Sequence, residues 1–211
     1  MSQIDFVVSS AQVRQHRNGV LKHGWRSTLG DSLRRRTRLS PVTTAFRTSR
    51  LLVREFAESD TAEAFAMWSD PEVRRFTGDP PPGDESVIRA DVERWRTVRG
   101  QASGCGFWAA IAGEAFIGDV FVRSLPSSPG EYEIGWHVAR PHWNKGYATE
   151  LACGALTHAH QHGLDRLVAL IDPANVASLR VAAKAGMCPD GETSRYDPQE
   201  PPVVVYRSVK A

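Results

Sequence analysis

A short basic loop that opens a helix is the part of the sequence best suited to chemistry. Lys145 and Gly146 lie in this loop, after a strand pattern that ends near Val138 and before a long helical pattern. The first N–H groups of a helix point outward and carry partial positive charge, so the junction favours an anion such as a phosphate. Gly146 lets the backbone approach that anion without a Cβ, and Lys145 and Arg140 add charge. A plain strand-to-helix connection is the alternative interpretation.

The elements that position this loop follow one another in a regular order. A strand pattern begins near Leu51, and three helical patterns and a hairpin follow it. The strand of residues 131–138 then leads into the loop and into a helix over residues 144–162. A strand, a turn, a further helix and two C-terminal strands complete the chain. The order predicts one α/β core with an N-terminal extension.

Charge is divided unevenly along the chain. Residues 1–50 carry ten Lys or Arg against two Asp, whereas residues 51–211 carry sixteen Lys or Arg against twenty-two Asp or Glu. The first part resembles a disordered basic arm or a transit peptide, and a start codon assigned too far upstream is a third interpretation. We predict a basic, poorly ordered extension over residues 1–48 and a folded domain over residues 49–211. The arm's charge alone gives only nonspecific attraction to nucleic acid.

Composition and motifs disfavour several classes of protein. No apolar run approaches the ~20 residues of a membrane span. The three cysteines are isolated and form no CxxC pair, which fits a reducing cytosol, and we therefore expect a cytoplasmic protein. No G-x-G-x-x-G follows a strand pattern, which disfavours a Rossmann enzyme. His158 and His162 share a helix face and could bind a metal, but no third ligand is near, so we expect a solvated helix face and no metal.

Four segments of the folded part have a characteristic spacing: RLLVR at 50–54, EIGW at 133–136, WNKGYATE at 143–150, and NVASLRV with KAGM within 175–187. Together they resemble the GNAT superfamily of acetyl-CoA-dependent N-acetyltransferases, and most of all its RimJ/RimL branch, which includes ribosomal-protein alanine acetyltransferases. The superfamily's pyrophosphate motif is Gln/Arg-x-x-Gly-x-Gly/Ala. Here Trp143 stands at its first position, as is usual in this branch, followed by Gly146 and Ala148. Trp143 at this position removes one polar contact that the motif would provide, while the backbone of the loop remains available for the pyrophosphate.

The resemblance implies the GNAT fold, an α+β domain with a mixed, largely antiparallel sheet. Six to seven strands are expected, flanked by helices and splayed at the acetyl-CoA site. The implied activity is direct transfer of an acetyl group from acetyl-CoA to a primary amine, on a protein N-terminus or a small molecule, in a ternary complex. The alternative is a non-catalytic acetyl-CoA-binding module whose basic arm contacts nucleic acid or a partner. The resemblance leaves the acceptor open, as it does the choice between monomer and homodimer.

Cofactor contacts also follow from the resemblance. Backbone groups of Trp136 and Val138 would hold the pantetheine arm, and a backbone N–H there would stabilise the oxyanion. The residues expected to bind the cofactor are Trp136, Val138, Arg140, Asn144, Lys145, Gly146, Tyr147, Ala148, Thr149, Asn175 and Ser178.

A base must remove a proton from the acceptor ammonium before the amine can attack. Glu133 is the first candidate, directly or through water, because it alternates with Ile134 and Trp136 and so leaves the apolar face. A solvated strand carboxylate is the alternative.

The leaving thiolate benefits from a proton donor. Ser178 is the candidate that the resemblance implies, and a first-turn hydroxyl bonded to the backbone is its alternative. Tyr196 is a second candidate, near the C-terminal strands. His137 and His142 flank the phosphate loop, and neither is expected to be catalytic.

Overall fold

The computed structural model describes residues 42–77, 81–97, 102–194, 196 and 201–208. The strands in these ranges are β1 Thr44–Arg47, β2 Leu52–Arg54, β3 Gly106–Ala112, β4 Ala115–Ser124, β5 Tyr132–Val138, β6 Leu167–Ile171, β7 Cys188–Thr193 and β8 Val203–Arg207. The α-helices there are α1 Thr61–Ser69, α2 Pro71–Arg74, α3 Glu85–Thr97, α4 Tyr147–Gln161 and α5 Val176–Lys184. Residues 1–41 of the predicted extension lie outside the described residues.

The strands form one mixed sheet in the order β1-β2-β3-β4-β5-β6-β8-β7. Strands β5 and β6 pair in parallel, and every other neighbouring pair is antiparallel. The predicted architecture is confirmed, although the described residues contain eight strands rather than six or seven. The sheet begins at Thr44, inside the segment assigned to the extension, because β1 pairs with β2 through Phe46 and Val53.

Local signals in the sequence start two of the helices. The side chain of Asp84 accepts a hydrogen bond from the N–H of Ser86 at 2.7 Å, which caps α3. Asp70 does the same for α2 by accepting from the N–H of Glu72, with Pro71 in the first turn. Asp60, the N-cap residue of α1, makes no capping bond to that helix. Its carboxylate accepts instead from the Arg54 guanidinium and from the N–H of Ala57.

Two apolar layers enclose the sheet. Helices α4 and α5 cover one face, where Ile134 of β5 packs with Leu151 of α4, and both are at most 1% exposed. Helices α1 and α3 cover the other face, where Trp68 and Trp95 are each 8% exposed. Full burial of one such side chain contributes about 1.5–3 kcal/mol to stability. No helix in the described ranges is long and apolar enough to cross a bilayer.

The end of α4 corrects the prediction for its histidines. His158 is 8% exposed and packs between the rings of Phe46 and Trp108, at centroid distances of 5.3 and 5.2 Å. A solvated face was therefore wrong for His158. Burial, with a contribution from His162, lowers the pKa of His158 to about 4. The described part of the chain contains no group of three or more His, Cys, Asp or Glu that could hold a metal ion.

Strands β5 and β6 separate as they run. They pair at Tyr132–Leu167 and Glu133–Val168, and β5 then continues to Val138 beside β4. The N–H of Ala139 donates to Ile117 of β4, at 2.8 Å, so the odd-numbered residues of β5 bond to β4. The N–H and C=O groups of the even-numbered residues therefore face the opening toward β6. This is the predicted splay, and it exposes a row of backbone groups along one strand edge.

Candidate functional site

Both helix N-termini of the α4 and α5 layer lie at the open end of the gap. Because β5 and β6 are parallel, their C-terminal ends lie at the same edge of the sheet. Helix α4 follows the loop after β5, and α5 follows the turn after β6. The two positive helix ends therefore flank the opening between the strands. An extended ligand with a phosphate at one end fits this arrangement.

The loop before α4 has the backbone that an anion site needs. Asn144 has a φ of 60° and Gly146 a φ of 80°, both in the left-handed region that Gly and Asn tolerate best. Gly146 occupies the N-cap position, and no side chain caps the helix. The N–H groups of Tyr147, Ala148 and Thr149 are thus the first of α4, without a capping side chain. The loop therefore has the backbone conformation that a phosphate site needs, and phosphate binding there stays a prediction.

Two side chains tie this loop to the strand before it. The indole Nε1–H of Trp143 donates to the C=O of Val138 at 2.6 Å. The Lys145 ammonium donates to the C=O of Pro141 at 3.0 Å. Trp143 therefore does more than remove a polar contact from the motif, since it anchors the loop. The C=O of Val138 accepts this bond, and its N–H faces the gap.

Arg50 contacts the loop before α4, although it lies 95 residues upstream of Lys145 in the sequence. Its Nη1 donates to the C=O of Lys145 at 2.9 Å, and its guanidinium lies 4.4 Å from the Tyr147 ring centroid. Glu150 of α4 holds Arg50 in place by accepting from its N–H at 2.8 Å and its Nε at 2.6 Å. We had not placed Arg50 at the site, because no local spacing signals a contact of this range.

Two opposing effects determine the pKa of Glu150. Burial raises its pKa, but hydrogen bonds from Thr48, Arg50 and Ser49 outweigh burial and lower the pKa to about 2. A charged Glu150 thus holds the guanidinium of Arg50 beside the loop at neutral pH.

At the start of α5 the two predicted residues lie together. The Asn175 side chain accepts from the N–H of Ser178 at 3.1 Å, which makes it the N-cap. The Ser178 hydroxyl is partly buried and makes no hydrogen bond to any described residue. The alternative of a hydroxyl bonded to the backbone is therefore not seen. The Ser178 hydroxyl, at the start of α5 near the open end of the gap, therefore has no partner among the described residues.

Glu133 is buried, which overturns one of its two interpretations. The residue is 2% exposed, so a solvated carboxylate is wrong. Its Oε2 accepts from the Arg123 Nε at 2.8 Å and from Nη2 of the same guanidinium. The carboxylate is thus held in an ion pair on the α1 side of the sheet. Its role as base stays a prediction.

Tyr196 lies at the other end of β5. It is 6% exposed, and its hydroxyl donates to Glu131 at 2.8 Å. Arg166 and Arg207 donate to the other oxygen of Glu131, at 3.1 and 2.9 Å. Glu131 immediately precedes β5, whereas the phosphate loop follows it, so the structure does not bring Tyr196 to that loop.

An open groove of about 550 Å³ lies beside the loop. Its lining residues are Ala66, Ser69, Asp70, Pro71, Arg140 and Pro141. Arg140 is well exposed, and its Nη1 lies 3.9 Å from the Asp70 carboxylate. The groove thus runs between the end of α1 and the start of the loop, on the α1 side of the sheet.

Comparison with known proteins gives a consistent set of relatives. A family model described as an acetyltransferase (GNAT) domain matches residues 50–188. The uncharacterized protein YkkB of Bacillus subtilis (strain 168) is 33% identical over 146 residues, which are 66% of this chain and 83% of YkkB. The uncharacterized N-acetyltransferase p20 of Bacillus licheniformis is 26% identical over 153 residues, 71% of this chain and 85% of p20.

Solved structures share the fold at low identity. The GNAT-family acetyltransferase from Bacillus anthracis has a TM-score of 0.66 at 24% identity, over 77% of this chain and 96% of that one. RimL, a ribosomal L7/L12 alpha-N-protein acetyltransferase in complex with coenzyme A, gives 0.64 at 14%, over 79% and 98%. The aminoglycoside acetyltransferase AAC(6')-Ib in complex with coenzyme A gives 0.61 at 19%, over 76% and 95%.

Proposed function

The chain belongs to the GNAT acetyltransferase family and is an acetyltransferase, and from this premise we propose that it moves the acetyl group of acetyl-CoA directly to a primary amine in a ternary complex. The observation that carries the proposal is the gap between β5 and β6, with the N-termini of α4 and α5 at its open end. A thioester arm can enter such a gap as an added strand, and a pyrophosphate can rest on a helix N-terminus.

The cofactor would be held by backbone and by a few charges. The first N–H groups of α4, which Gly146 leaves accessible, would bind the pyrophosphate, with Arg50 and Lys145 adding positive charge. The N–H groups of Trp136 and Val138 face the gap and would bind the pantetheine arm. Asn175, beside Ser178, would reach that arm from α5 while it caps the helix. Acetyl-CoA is a co-substrate here and is consumed in the reaction.

The transfer itself needs three groups in place. The neutral amine attacks the thioester carbonyl carbon, and a β5 backbone N–H at Trp136 would stabilise the oxyanion. Collapse of this intermediate forms the amide and breaks the C–S bond. The Ser178 hydroxyl, which no described residue engages, would give its proton to the departing thiolate and regain one from the nitrogen of the forming amide. A base must have taken one proton from the ammonium before the attack.

The acceptor is the least constrained part of the proposal. We favour the RimJ/RimL branch and an amine on a protein N-terminus or a small molecule. A ribosomal-protein enzyme and an aminoglycoside enzyme are similar to this chain at nearly equal TM-scores, so the fold does not separate these acceptors. The acidic balance of residues 51–211 gives mild attraction to a cationic acceptor. We propose a cytoplasmic enzyme, as monomer or homodimer, in line with its three free cysteines.

An acceptor screen tests the function. The full chain is incubated with acetyl-CoA and, in turn, peptides with free N-termini, amino acids, polyamines and aminoglycosides, while free coenzyme A thiol is measured. We expect thiol release above the rate without acceptor for one class, with the acetylated product identified by mass. Tight binding of acetyl-CoA in calorimetry without turnover for any amine would favour the binding-module alternative.

A further inference from the structure

A buried carboxylate joins an indole and an imidazole on the α1 side of the sheet. Asp119 of β4 is 0% exposed. Its Oδ2 accepts from the indole N–H of Trp68 in α1 at 3.0 Å, and its Oδ1 lies 2.7 Å from Nδ1 of His137 in β5. Three elements thus contribute one group each to a short hydrogen-bonded chain.

The hydrogen bonds to Asp119 determine which ring nitrogen of His137 carries the hydrogen. Burial raises the pKa of Asp119 above its ordinary value, and the neighbouring His137 and the Trp68 hydrogen bond offset only part of that rise. A carboxylate with no water around it needs donors on both oxygens, and Trp68 supplies only one. Nδ1–H of His137 is the second donor, so the neutral ring keeps its lone pair on Nε2. Asp119 therefore fixes both the tautomer and the orientation of the imidazole.

Nε2 is directed away from the packed interior. The His137 side chain is 19% exposed. Its Nε2 has no hydrogen bond to any described residue, and this atom is not fully buried, so it is accessible to solvent. The Trp68 ring, 4.4 Å away between centroids, and Phe121, at 6.2 Å, hold the imidazole from two sides. The ring is thus rigid, with one basic nitrogen open to solvent.

The position of His137 along β5 relates it to the proposed reaction. It lies between Trp136 and Val138, whose backbone groups face the gap where the thioester arm would sit. Its own side chain emerges on the α1 face of that edge of the sheet, where the groove lined by Asp70 and Arg140 also lies. An amine that enters from this face would meet Nε2 beside the thioester.

We propose that His137 is the general base of the acetyl transfer, with Asp119 and Trp68 as its positioning residues; this rests on the function proposed above. Nε2 takes one proton from the acceptor ammonium, and the neutral amine then attacks the acetyl carbon. The N–C bond forms, the C–S bond breaks, and the proton that the nitrogen loses as the amide forms balances the one that the thiolate takes. The imidazolium returns its proton to solvent. Glu133 is the weaker candidate, because Arg123 already donates to its carboxylate.

The other charged groups near His137 are few in the described part of the chain. Asp119 faces it from β4, and from α2 the Arg74 guanidinium lies 5.3 Å from the Trp68 ring. On the same face of β4 and β5, the next charges are Arg123 and Glu133, which form the ion pair beyond the Phe121–Gly135 row. These are the charged groups that a pH–rate profile of a His137 variant has to take into account.

The test compares acceptors as well as variants. His137→Gln should lower kcat about 10²-fold with an alkyl amine at neutral pH, and activity should recover as the pH approaches the amine pKa. With an acceptor whose amine is already neutral at the assay pH, the loss should largely disappear. Calorimetry should show the affinity for acetyl-CoA unchanged within about twofold. The control is His162→Gln, at the exposed end of α4, which should have the wild-type profile.

A positioning role is tested separately. Trp68→Phe keeps a ring and removes the N–H, and Asp119→Asn keeps the shape and removes the charge; both should shift the acid limb of the kcat/KM profile. In the wild type, ¹⁵N shifts should show Nδ1–H in the neutral ring of His137, a readout that needs no variant to fold.

Four results would overturn the proposal. They are a near-wild-type rate for His137→Gln, an equal loss with charged and neutral amines, the opposite tautomer, and no turnover by the wild type with any amine. The last result also removes the proposed function, whereas the first three leave it standing.

Discussion

The two ends of strand β5 differ in the groups that they offer for hydrogen bonding. At its start, Glu131 and Glu133 are both 2% exposed, and each accepts hydrogen bonds from arginine side chains. At its end, β5 bonds to β4 alone, and backbone groups face the gap toward β6. The closed end is fixed by buried charge, and the open end offers hydrogen bonds to a ligand. Stability and binding are thus separated along one strand.

A similar contrast holds between two buried carboxylates near this strand, Glu131 and Asp119. Burial raises the pKa of Glu131, but bonds from Ser128, Tyr196 and Arg207 outweigh burial and lower the pKa to about 2. The pKa of Asp119 is raised by burial, and its partners are an imidazole and an indole. Hydrogen bonds from Ser128, Tyr196 and Arg207 therefore keep Glu131 charged, while Asp119 is hydrogen-bonded to an imidazole and an indole and has no guanidinium partner among the described residues.

The largest effect on stability is expected at the closed end. Glu131→Gln removes the buried anion that Tyr196, Arg166 and Arg207 share, so the free energy of unfolding should fall by about 1–3 kcal/mol. Urea unfolding measures this change. The control is Asp190→Asn, which removes the other carboxylate that Arg207 contacts. The Asp190 side chain is 51% exposed, so this change should lower the free energy of unfolding by no more than about 1 kcal/mol.

The acid dependence of stability gives a second check on Glu131. A carboxylate with a lowered folded pKa stabilises the fold at pH values above its unfolded pKa, and that contribution is lost as the pH falls toward about 2. The wild type should therefore lose stability more steeply in acid than Glu131→Gln does. Equal acid slopes, or a small effect of the substitution at neutral pH, would show that the closed end is not fixed by this charge.

The next effect is expected at the open end, in the rate. Ser178→Ala removes a proton donor that acts in the transition state, so kcat should fall on the order of 10² with little change in the affinity for acetyl-CoA. Unlike a defect in the base, this loss should not recover at high pH, because the defect lies in the leaving group. The melting temperature should stay near that of the wild type.

The paired experiment compares Ser178→Ala with the base variant His137→Gln, using one acceptor and one pH range, and only His137→Gln should recover activity as the pH rises. A rate near wild type for Ser178→Ala would leave positioning of the two substrates as the main source of rate. A large fall in stability for Ser178→Ala would contradict the separation of the two ends of β5.

A smaller effect, in affinity, is expected at the phosphate loop. Gly146→Asp places a carboxylate against the pyrophosphate site, and acetyl-CoA binding should weaken tenfold or more, about 1.4 kcal/mol. Gly113→Asp is the matched control, because Gly113 also has a positive φ, of 61°, and lies in the turn between β3 and β4. Both variants place an aspartate at a positive φ, and the control should bind acetyl-CoA normally. Equal affinities in calorimetry would count against this loop as the pyrophosphate site.

The sequence alone supports the parts of the molecule that depend on short spacing. Residues a few positions apart signal the loop at Gly146 and the caps that Asp84 and Asn175 form. The order of the helices and strands along the sequence depends on such short patterns as well. The parts it did not show depend on contacts across long separations. Arg50 reaches Glu150 across 100 residues, and Tyr196 reaches Glu131 across 65. Such pairs are decided by the packing of the sheet, and no local pattern distinguishes them from solvated charges.

His158 and Glu133 show the same limit for burial. Alternation along a strand or a helix assigns a side chain to a face, but it does not say whether another element covers that face. Phe46 of β1 covers His158, and the ion pair with Arg123 accompanies the burial of Glu133. Strand β1 itself was missed, because four residues with no alternating apolar pattern give a weak signal.

The smallest effect is expected from removing residues 1–41. We propose that this basic segment is dispensable for folding and for acetyl transfer, because the charge changes sign after residue 50 and the sheet begins at Thr44. The shortened chain keeps the bond from the N–H of Glu55 to the C=O of Thr43 and the contacts of Thr48, Ser49 and Arg50 with Glu150. Its melting temperature should stay within ~2 °C of the full chain, and kcat/KM should be unchanged.

Deletion of residues 1–47 is the matched comparison. It also removes β1, and with it the Phe46 ring that packs on Trp108 and His158 and lies against Gly154 of α4. This deletion should lower the melting temperature by several degrees, since each 1 kcal/mol shifts it by about 2–4 °C in a domain of this size. Because α4 opens at the phosphate loop, the affinity for acetyl-CoA should fall as well. If deletion of residues 1–41 were equally damaging, the basic segment would belong to the domain, and the open end of β5 would depend on it.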